Sequence, residues 1–447
     1  MQKDSLTADQ LEAAERESFP EDVIRKKLEL NMNGLVKQTI ANCVTALEED
    51  PILKGKIRLN ELSEMTDIVG DVPWERNWVT MDDIDRSHIL LRLEKEYGLS
   101  SDKKIDRAIT IVASNNRYHP IRDELGSLKW DGTERVRHAL RHFLGAEETE
   151  MSYEALKLFM LGAVCRVFRP GCKFETMLCL VGNTQGTGKS TFMRFLAIND
   201  DWFTDDIKHL DDERIFQKLQ GHWICELPEM LAAINAKNVE DIKSFLSRQR
   251  DCYRIPYDKF AKDRPRQCVF AGTSNKKQFL PADRSGNRRL IPIEVHEENA
   301  EVHILDDERS SRAYILQMWA EIMEIYKSGD FSLILPKHLQ KRLSEYQEAF
   351  MPEDFEEIAI RNYLDSTNRE YVCSMMIYHE ALGNPVAEKP ARWESISINE
   401  VLGKMPDWEP VSSHLFEHYG IQRAWKRVST EKDFVPASEQ MEIPFPE

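Results

Sequence analysis

The chain has 447 residues, enough for two or three domains, and its apolar fraction of 41% is ordinary for a globular protein. The net charge of −17 argues against a protein that covers duplex DNA with a basic surface. No apolar run approaches the ~20 residues of a membrane span. The eight cysteines form no Cys-x-x-Cys pair, so neither a zinc site nor a disulfide framework is indicated. We expect a cytoplasmic protein with reduced thiols and no membrane partner.

The charge is unevenly distributed along the chain. Between Asp241 and Arg289, thirteen Lys and Arg residues face five Asp residues, a local net charge of +8. A basic segment within an acidic chain predicts one restricted contact with a phosphate backbone.

Residues 1–130 have the pattern of an α+β region. A helical pattern runs from Glu21 to Glu49, and short strands are predicted near residues 57–59 and 68–69. Further helices are predicted over 82–97 and from Ser101 onward, with acidic or polar residues at their starts. We place the boundary to the next domain between residues 131 and 150.

The segment Met177 to Phe192, MLCLVGNTQGTGKSTF, has the order strand, glycine-rich loop, helix. This is the pattern of a phosphate-binding P-loop, in which backbone N–H groups and a helix N-terminus surround phosphate oxygens. Lys189 would reach the β- and γ-phosphates and Ser190 would hold Mg²⁺. The loop is one residue longer than the common pattern, because Asn183 stands where glycine is usual. The predicted nucleotide-binding residues are Gly182, Gly186, Thr187, Gly188, Lys189, Ser190 and Thr191.

A second element, QGHWICELPEM, covers residues 220–230. Its apolar strand is expected to end at Glu226, and Glu229 follows three residues later. We assign Glu226 to the Mg²⁺ and Glu229 to the attacking water. A solvated acidic pair after a strand is the alternative, which the position downstream of Lys189 disfavours.

Residues 247–266, SRQRDCYRIPYDKFAKDRPR, combine basic residues with Tyr, Phe and Pro. They predict two short strands around a turn. Basic residues beside aromatic ones suit a contact with single-stranded nucleic acid, and Arg254, Lys259 and Lys262 are the candidates. The alternative is a charged, solvated hairpin.

A third strand, predicted over 267–273, leads to Asn275, whose amide could bind the γ-phosphate or the attacking water. Arg288 and Arg289 precede a fourth strand and could reach the nucleotide of a neighbouring subunit. A structural salt bridge is the alternative for either arginine.

After long predicted helices over 309–327 and 337–350, residues 351–447 form a small C-terminal module with a polar tail. Residues 418–427 resemble a strand or wing with basic and aromatic side chains, which favours a winged-helix type.

With these motifs in order, the chain resembles the virulence-associated E family of P-loop ATPases of phages and mobile elements. The resemblance rests on five segments and extends from about residue 53 to the last Arg-Ala-Trp. They are NRYHPIRDELGSLKWDG (116–132), QGTGKSTF (185–192), GHWICELPEM (221–230), DIKSFLSRQRDCYRIPYDKFAKDRPRQCVFAGTSN (241–275) and SGNRRLIPIEV (285–295).

The family is similar in motif layout to superfamily 3 helicases. The resemblance implies an AAA+-like α/β core over residues 131–350 that forms a ring, with a hexamer favoured. It also implies that Asn275 is a sensor, that Lys259 and Lys262 contact DNA in the channel, and that Arg288 or Arg289 is an arginine finger. The motif spacing alone predicts only an Mg²⁺-dependent ATPase with a basic hairpin.

We therefore expect ATP and Mg²⁺ as cofactors, single-stranded DNA as substrate, and a separate primase or replication protein as a further partner. Two other functions stay open. One is a replication initiator that binds duplex DNA through its C-terminal module. The other is an ATP-driven interference switch that does not unwind DNA.

Overall fold

The structure is a computed structural model, and it describes residues 20–184, 186–207, 215–228, 236–254, 260–280, 287–351 and 355–428. The chain divides into two compact units at residue 352. The first unit contains the N-terminal region and the central sheet, and the second is the C-terminal module.

The N-terminal region packs four helices around a small sheet. The strands are β1 (Ile57–Asn60), β2 (Thr66–Ile68) and β3 (Arg117–Tyr118), in the order β2-β1-β3. Its helices are α1 (Pro20–Arg25), α2 (Ile40–Glu49), α3 (Asp83–Tyr97) and α4 (Asp102–Asn115). Their apolar faces share one buried cluster, because Cys43, Leu47, Ile89, Leu93 and Ile109 are all buried there. The two predicted strands and the helices α3 and α4 are present within a few residues of their expected bounds. The helical pattern predicted from Glu21 to Glu49 is wrong in its middle, because residues 26–39 form turns and an antiparallel bridge between Leu30 and Val36.

A five-stranded parallel sheet forms the centre of the first unit. Its strands are β4 (Met177–Val181), β5 (Phe203–Thr204), β6 (Ile224–Pro228), β9 (Val269–Ser274) and β10 (Leu290–Glu294). They lie in the order β10-β4-β9-β6-β5. Because the strands are parallel, their carboxyl ends meet at one edge. An antiparallel hairpin, β7 (Arg250–Tyr253) with β8 (Lys262–Pro265), precedes β9.

The central strands are buried on both faces, as expected for a parallel sheet covered by helices. Leu178, Leu180 and Ile224 face one apolar cluster, whereas Cys179 and Cys225 face the other. The helices of this unit are α5 (Pro120–Ser127), α6 (Ala139–Leu144), α7 (Glu150–Phe168), α8 (Lys189–Leu196), α9 (Ile215–Leu219), α10 (Ala236–Ser247), α11 (Glu308–Ser328) and α12 (Lys337–Glu348).

Three details of the sheet differ from the sequence-based expectation. The strand β5 was not predicted, because two residues are too few to show a periodicity. Glu226 lies inside β6 and not at its end, since pairing with β9 continues to Pro228. The hairpin strands flank the predicted centre, so Tyr253 ends β7 and Lys262 begins β8.

The C-terminal module has a three-stranded antiparallel sheet in the order β11-β13-β12. Its elements are α13 (Phe355–Ser366), β11 (Tyr371–Val372), α14 (Ser374–Met376), a π-helical turn (Ile377–Ala381), α15 (Arg392–Gly403), β12 (Trp408–Phe416) and β13 (Gly420–Arg427). Its own buried cluster includes Ile360, Met376, Leu402 and Trp408. Among the residues that the structure describes, no helix is long and apolar enough to cross a membrane.

Candidate functional site

The loop between β4 and α8 lies at the carboxyl edge of the sheet. Gly188 forms the N-cap of α8 with φ +80°, a left-handed conformation that glycine adopts without steric cost. Gly182 lies where a Cβ atom would be 2.9 Å from Val295 Cγ2 and 3.0 Å from the Val295 carbonyl oxygen. This close approach gives a physical reason for glycine at position 182, which the usual spacing would place at 183.

Lys189 is the first residue of α8 and is 7% exposed. Its Nζ donates to the Thr184 carbonyl oxygen at 3.0 Å and to Thr187 Oγ1 at 2.9 Å. Burial lowers its pKa, and the nearby Glu226 carboxylate opposes this effect. The ammonium group is therefore held over the glycine-rich loop by neutral oxygen acceptors.

Glu226 on β6 is fully buried and lies next to the start of α8. Its Oε1 accepts hydrogen bonds from Ser190 Oγ at 2.7 Å and from Thr273 Oγ1. Three elements, β6, α8 and β9, thus bring a carboxylate and two hydroxyl groups together.

The environment of the second carboxylate oxygen of Glu226 indicates whether a metal ion would fit here. Oε2 is buried and has no hydrogen-bond partner among the residues that the structure describes. Burial raises the pKa of Glu226, although the hydroxyl groups of Thr273 and Ser190 counteract the shift. An unsatisfied buried carboxylate oxygen beside a hydroxyl group is a donor set that suits a hard divalent cation. Among the described residues no group of three His, Cys, Asp or Glu side chains forms a complete metal site, so a cation here would need further oxygen ligands from water or phosphate.

A cavity of about 450 Å³ opens between the loop and the ends of β6 and β9. Its volume lies within the range of small-molecule sites. The lining residues are Gly186, Thr187, Gly188, Lys189, Ser190, Thr191, Pro228, Thr273, Ser274, Asn275 and Leu305. Six of the seven residues predicted to bind nucleotide therefore line one cavity, and Gly182 lies just behind it, against Val295.

Asn275, the predicted sensor, also lines this cavity, directly after β9. Glu229, the predicted water-side carboxylate, lies outside the described residues. The sequence-based reasoning missed Thr273, which is 6% exposed and contacts Glu226. No local signal in the sequence identifies it, because the contact depends on the register in which Glu226 pairs with Ala271, two residues before Thr273.

The basic hairpin lies at the other end of β9, since β8 is followed directly by the start of that strand. Six residues at about 3.3 Å each separate the two ends of β9 by roughly 20 Å. Arg254 and Phe260 are exposed, Phe260 to 75%. Lys262 begins β8 and is exposed, whereas Lys259 lies outside the described residues.

Arg288 and Arg289 lie in a 3₁₀ turn just before β10, also at the amino edge of the sheet. Both pair with Glu175, at 3.4 Å and 3.3 Å, and Arg289 also donates to Ser247 Oγ. The Arg288 side chain is 74% exposed and that of Arg289 is 16% exposed. Within one chain, neither arginine lies at the cavity beside Lys189.

A family model for the virulence-associated protein E-like domain matches residues 125–352, just over half of the chain. The chain belongs to the virulence-associated protein E-like family. The matched residues include the glycine-rich loop, Glu226, the hairpin and both arginines, whereas most of the N-terminal region and the C-terminal module lie outside the match.

Solved structures similar to this virulence-associated protein E-like chain include two apo structures of the C-terminal region of NrS-1. One has a TM-score of 0.46 and 14% identity, covering 88% of this chain and 100% of that chain. The other has a TM-score of 0.43 and 12% identity, covering 83% and 96%. The X-ray structure of JCV helicase has a TM-score of 0.27 and 12% identity, covering 79% and 100%. No curated protein matches the chain. Similarities at these TM-scores carry no conclusion about chemistry.

Proposed function

We propose that this protein is an Mg²⁺-dependent P-loop ATPase that acts as a ring-forming DNA helicase or translocase of a phage or mobile element. The proposal of ATPase activity rests on one observation, the cluster of Lys189, Ser190 and Glu226 at the carboxyl edge of a parallel sheet. Membership of the virulence-associated protein E-like family supports the biological setting.

In this proposal the glycine-rich loop and Lys189 bind the phosphates of ATP. Lys189 exchanges the neutral acceptors Thr184 and Thr187 for phosphate oxygens, which bind an ammonium group more strongly. Ser190 and Glu226 would hold Mg²⁺, which when bound neutralises charge on the transferring phosphoryl group. Asn275 lies where its amide can orient a water molecule.

DNA translocation is supported by the separation of the two functional ends of β9. ATP chemistry at Thr273 and Asn275 and DNA contact at the hairpin would be connected by one strand buried along its length. The exposed Arg254, Lys262 and Phe260 suit a single strand, because they combine charge with an aromatic surface.

The arginines support a ring. Because Arg288 lies at the amino edge of the sheet and is exposed, it could contribute to a nucleotide site only on a neighbouring copy. A closed ring of copies would give every site such an arginine.

The alternative of an initiator depends on duplex binding by the C-terminal module. The order of its elements is compatible with a winged helix, which we propose as its type. However, residues 355–428 contain eight Lys and Arg against eleven Asp and Glu. The exposed face of α15 carries Trp393 and Ile396. This acidic, apolar surface favours the translocase over the duplex-binding initiator.

The test is ATP hydrolysis with Mg²⁺, with and without a single-stranded DNA oligomer, in parallel with particle mass. Lys189→Ala should abolish hydrolysis under every condition. Lys259→Ala should keep basal hydrolysis and lose DNA stimulation and unwinding. Hydrolysis that ignores DNA, from a monomer or dimer, would instead favour the interference switch.

A further inference from the structure

The turn between β1 and β2, residues 60–64, lies outside the family match but contacts the base of the basic hairpin. Glu64 Oε2 accepts a hydrogen bond from Arg264 Nε at 3.1 Å. The two residues are 200 positions apart in the chain, so this contact joins the N-terminal region to the hairpin.

Arg264 links the two hairpin strands. It lies on β8, its side chain is 7% exposed, and its Nη1 donates to the carbonyl oxygen of Tyr253 on β7. The guanidinium carbon lies 4.6 Å from the centre of the Tyr253 ring. The Glu64 side chain is 40% exposed, and its carboxylate pairs with this largely buried charge from the side of the N-terminal turn. Because Arg264 contacts both hairpin strands, the position of Glu64 affects both strands.

Hydrogen bonds and packing against the first unit's core stabilise the turn. Asn60 Oδ1 accepts from the backbone N–H groups of Leu62 and Ser63 at 2.9 Å and 3.3 Å. Leu62 is 7% exposed and belongs to the same buried cluster as Trp223 and Val269, which lie at the amino edge of the central sheet. Glu64 has φ +55°, which is unusual for a residue other than glycine. The surrounding contacts hold the backbone in this strained conformation.

The same turn also contacts the two segments that lead into the sheet. Gln267 Nε2 donates to the Glu61 carbonyl oxygen at 2.8 Å, and Gln220 Nε2 donates to the Ser63 carbonyl oxygen. Gln267 comes just before β9 and Gln220 just before β6. The turn therefore contacts the hairpin and the starts of the strands that carry Thr273 and Glu226.

We propose that the turn 60–64 is a brace that positions the DNA-contacting hairpin, and that Glu64 is its positioning residue. This inference rests on the proposed function, because it assigns a consequence for DNA binding. The N-terminal region would then contribute to DNA binding by the translocase, through its contact with the hairpin.

The experiment compares Glu64→Gln with the wild-type chain and with Glu75→Gln, a matched change at an exposed carboxylate of the same region. Basal ATPase, the DNA concentration for half-maximal stimulation, melting temperature and hydrogen exchange of the hairpin amides are measured. For Glu64→Gln we expect basal ATPase to be unchanged. We expect the DNA concentration for half-maximal stimulation to rise about 5-fold or more above that of the wild type. Faster exchange over residues 250–265 is expected as well.

Glu64→Asp keeps a carboxylate at this position and should leave the DNA dependence and the hairpin exchange closer to wild type than Glu64→Gln does. Unchanged DNA dependence and unchanged exchange in Glu64→Gln would overturn the brace. Loss of basal ATPase together with a lower melting temperature would also overturn the brace, because the contact would then serve only to stabilise the fold. If wild-type hydrolysis ignores DNA, the proposed function fails, and hairpin exchange still decides whether the brace exists.

Discussion

At the scale of one residue, Thr273 shows how a hydroxyl group can fix the position of a carboxylate. It donates to Glu226 Oε1, the oxygen that also accepts from Ser190. If Ser190 and Glu226 hold Mg²⁺ as proposed, Thr273 would keep the carboxylate in place while Ser190 binds the ion.

We expect Thr273→Val to lower the rate of ATP hydrolysis by about 10-fold or more and to raise the Mg²⁺ concentration for half-maximal activity. Thr273→Ser keeps the hydroxyl group and should retain most of the activity. A titration of hydrolysis against Mg²⁺ for the three proteins measures this. Equal Mg²⁺ dependence in wild type and Thr273→Val would show that the hydroxyl group has no positioning role.

Gly182 shows how space can determine residue identity. A methyl group there would approach the Val295 backbone and side chain at 3.0 Å and 2.9 Å. We expect Gly182→Ala to destabilise the protein by about 1–3 kcal/mol and to weaken nucleotide binding, because the loop must shift. Denaturant unfolding and binding of a fluorescent ATP analogue measure the two effects.

Gly126→Ala is the matched control. Gly126 lies in α5, and among the described residues no atom beyond its chain neighbours and its own helix backbone lies within 4 Å of an added Cβ. There, alanine should be neutral or stabilising by about 0.5–1 kcal/mol, since it restricts the unfolded chain. Similar losses at both positions would contradict the steric explanation.

At the scale of elements, His119 joins α5 to Gln267, which precedes the strand β9. Its Nδ1 caps the helix by accepting from the Arg122 N–H, and its Nε2 lies 2.8 Å from Gln267 Oε1. Burial lowers the pKa of His119, and the hydrogen bond to Gln267 opposes the shift. Arg122 also lowers the pKa of His119, whereas Glu61 raises it.

Because the folded-state pKa of His119 lies below its unfolded value, the neutral ring contributes stability at pH values above that unfolded value. This contribution is lost as the pH falls, because protonation removes the acceptor that caps α5. We expect the wild type to lose more unfolding free energy between pH 7.5 and pH 5.5 than His119→Asn, which keeps a capping acceptor without titrating. Urea unfolding at both pH values measures the difference. Equal losses of unfolding free energy in the two proteins would show that His119 does not cause the pH dependence.

At the scale of the whole molecule, the positions of Arg288 and Arg289 separate two roles. Arg289 is largely buried against Glu175 and Ser247, whereas Arg288 is mostly exposed. We expect Arg288→Ala to lower hydrolysis on the order of 10³-fold in the assembled particle with little change in stability. Arg289→Ala should lower the melting temperature.

Mixing provides the decisive control for an arginine that acts on a neighbouring copy. Lys189→Ala and Arg288→Ala subunits are each expected to be inactive alone, but in the proposed ring a mixture would contain some sites with both an intact Lys189 and an intact neighbouring Arg288. Hydrolysis should therefore partly return on mixing. A mixture as inactive as its components would place the function of Arg288 within its own chain.

Much of the site was predictable because its signals are local. The order of strand, glycine-rich loop and helix around Lys189 depends on neighbouring residues, and so do the apolar strands of the central sheet. Periodicity likewise identified the helices α3 and α11. The family resemblance also followed from motifs in the chain order, and the family match confirmed it.

The tertiary structure alone decided which distant groups meet. Nothing in the sequence indicates that Thr273 contacts Glu226, that Val295 requires glycine at position 182, or that Glu64 pairs with Arg264. These contacts depend on the order and register of the sheet strands and on the packing of the N-terminal turn. Local patterns report which residues share a strand or helix face, but the sheet topology determines which faces and edges come together.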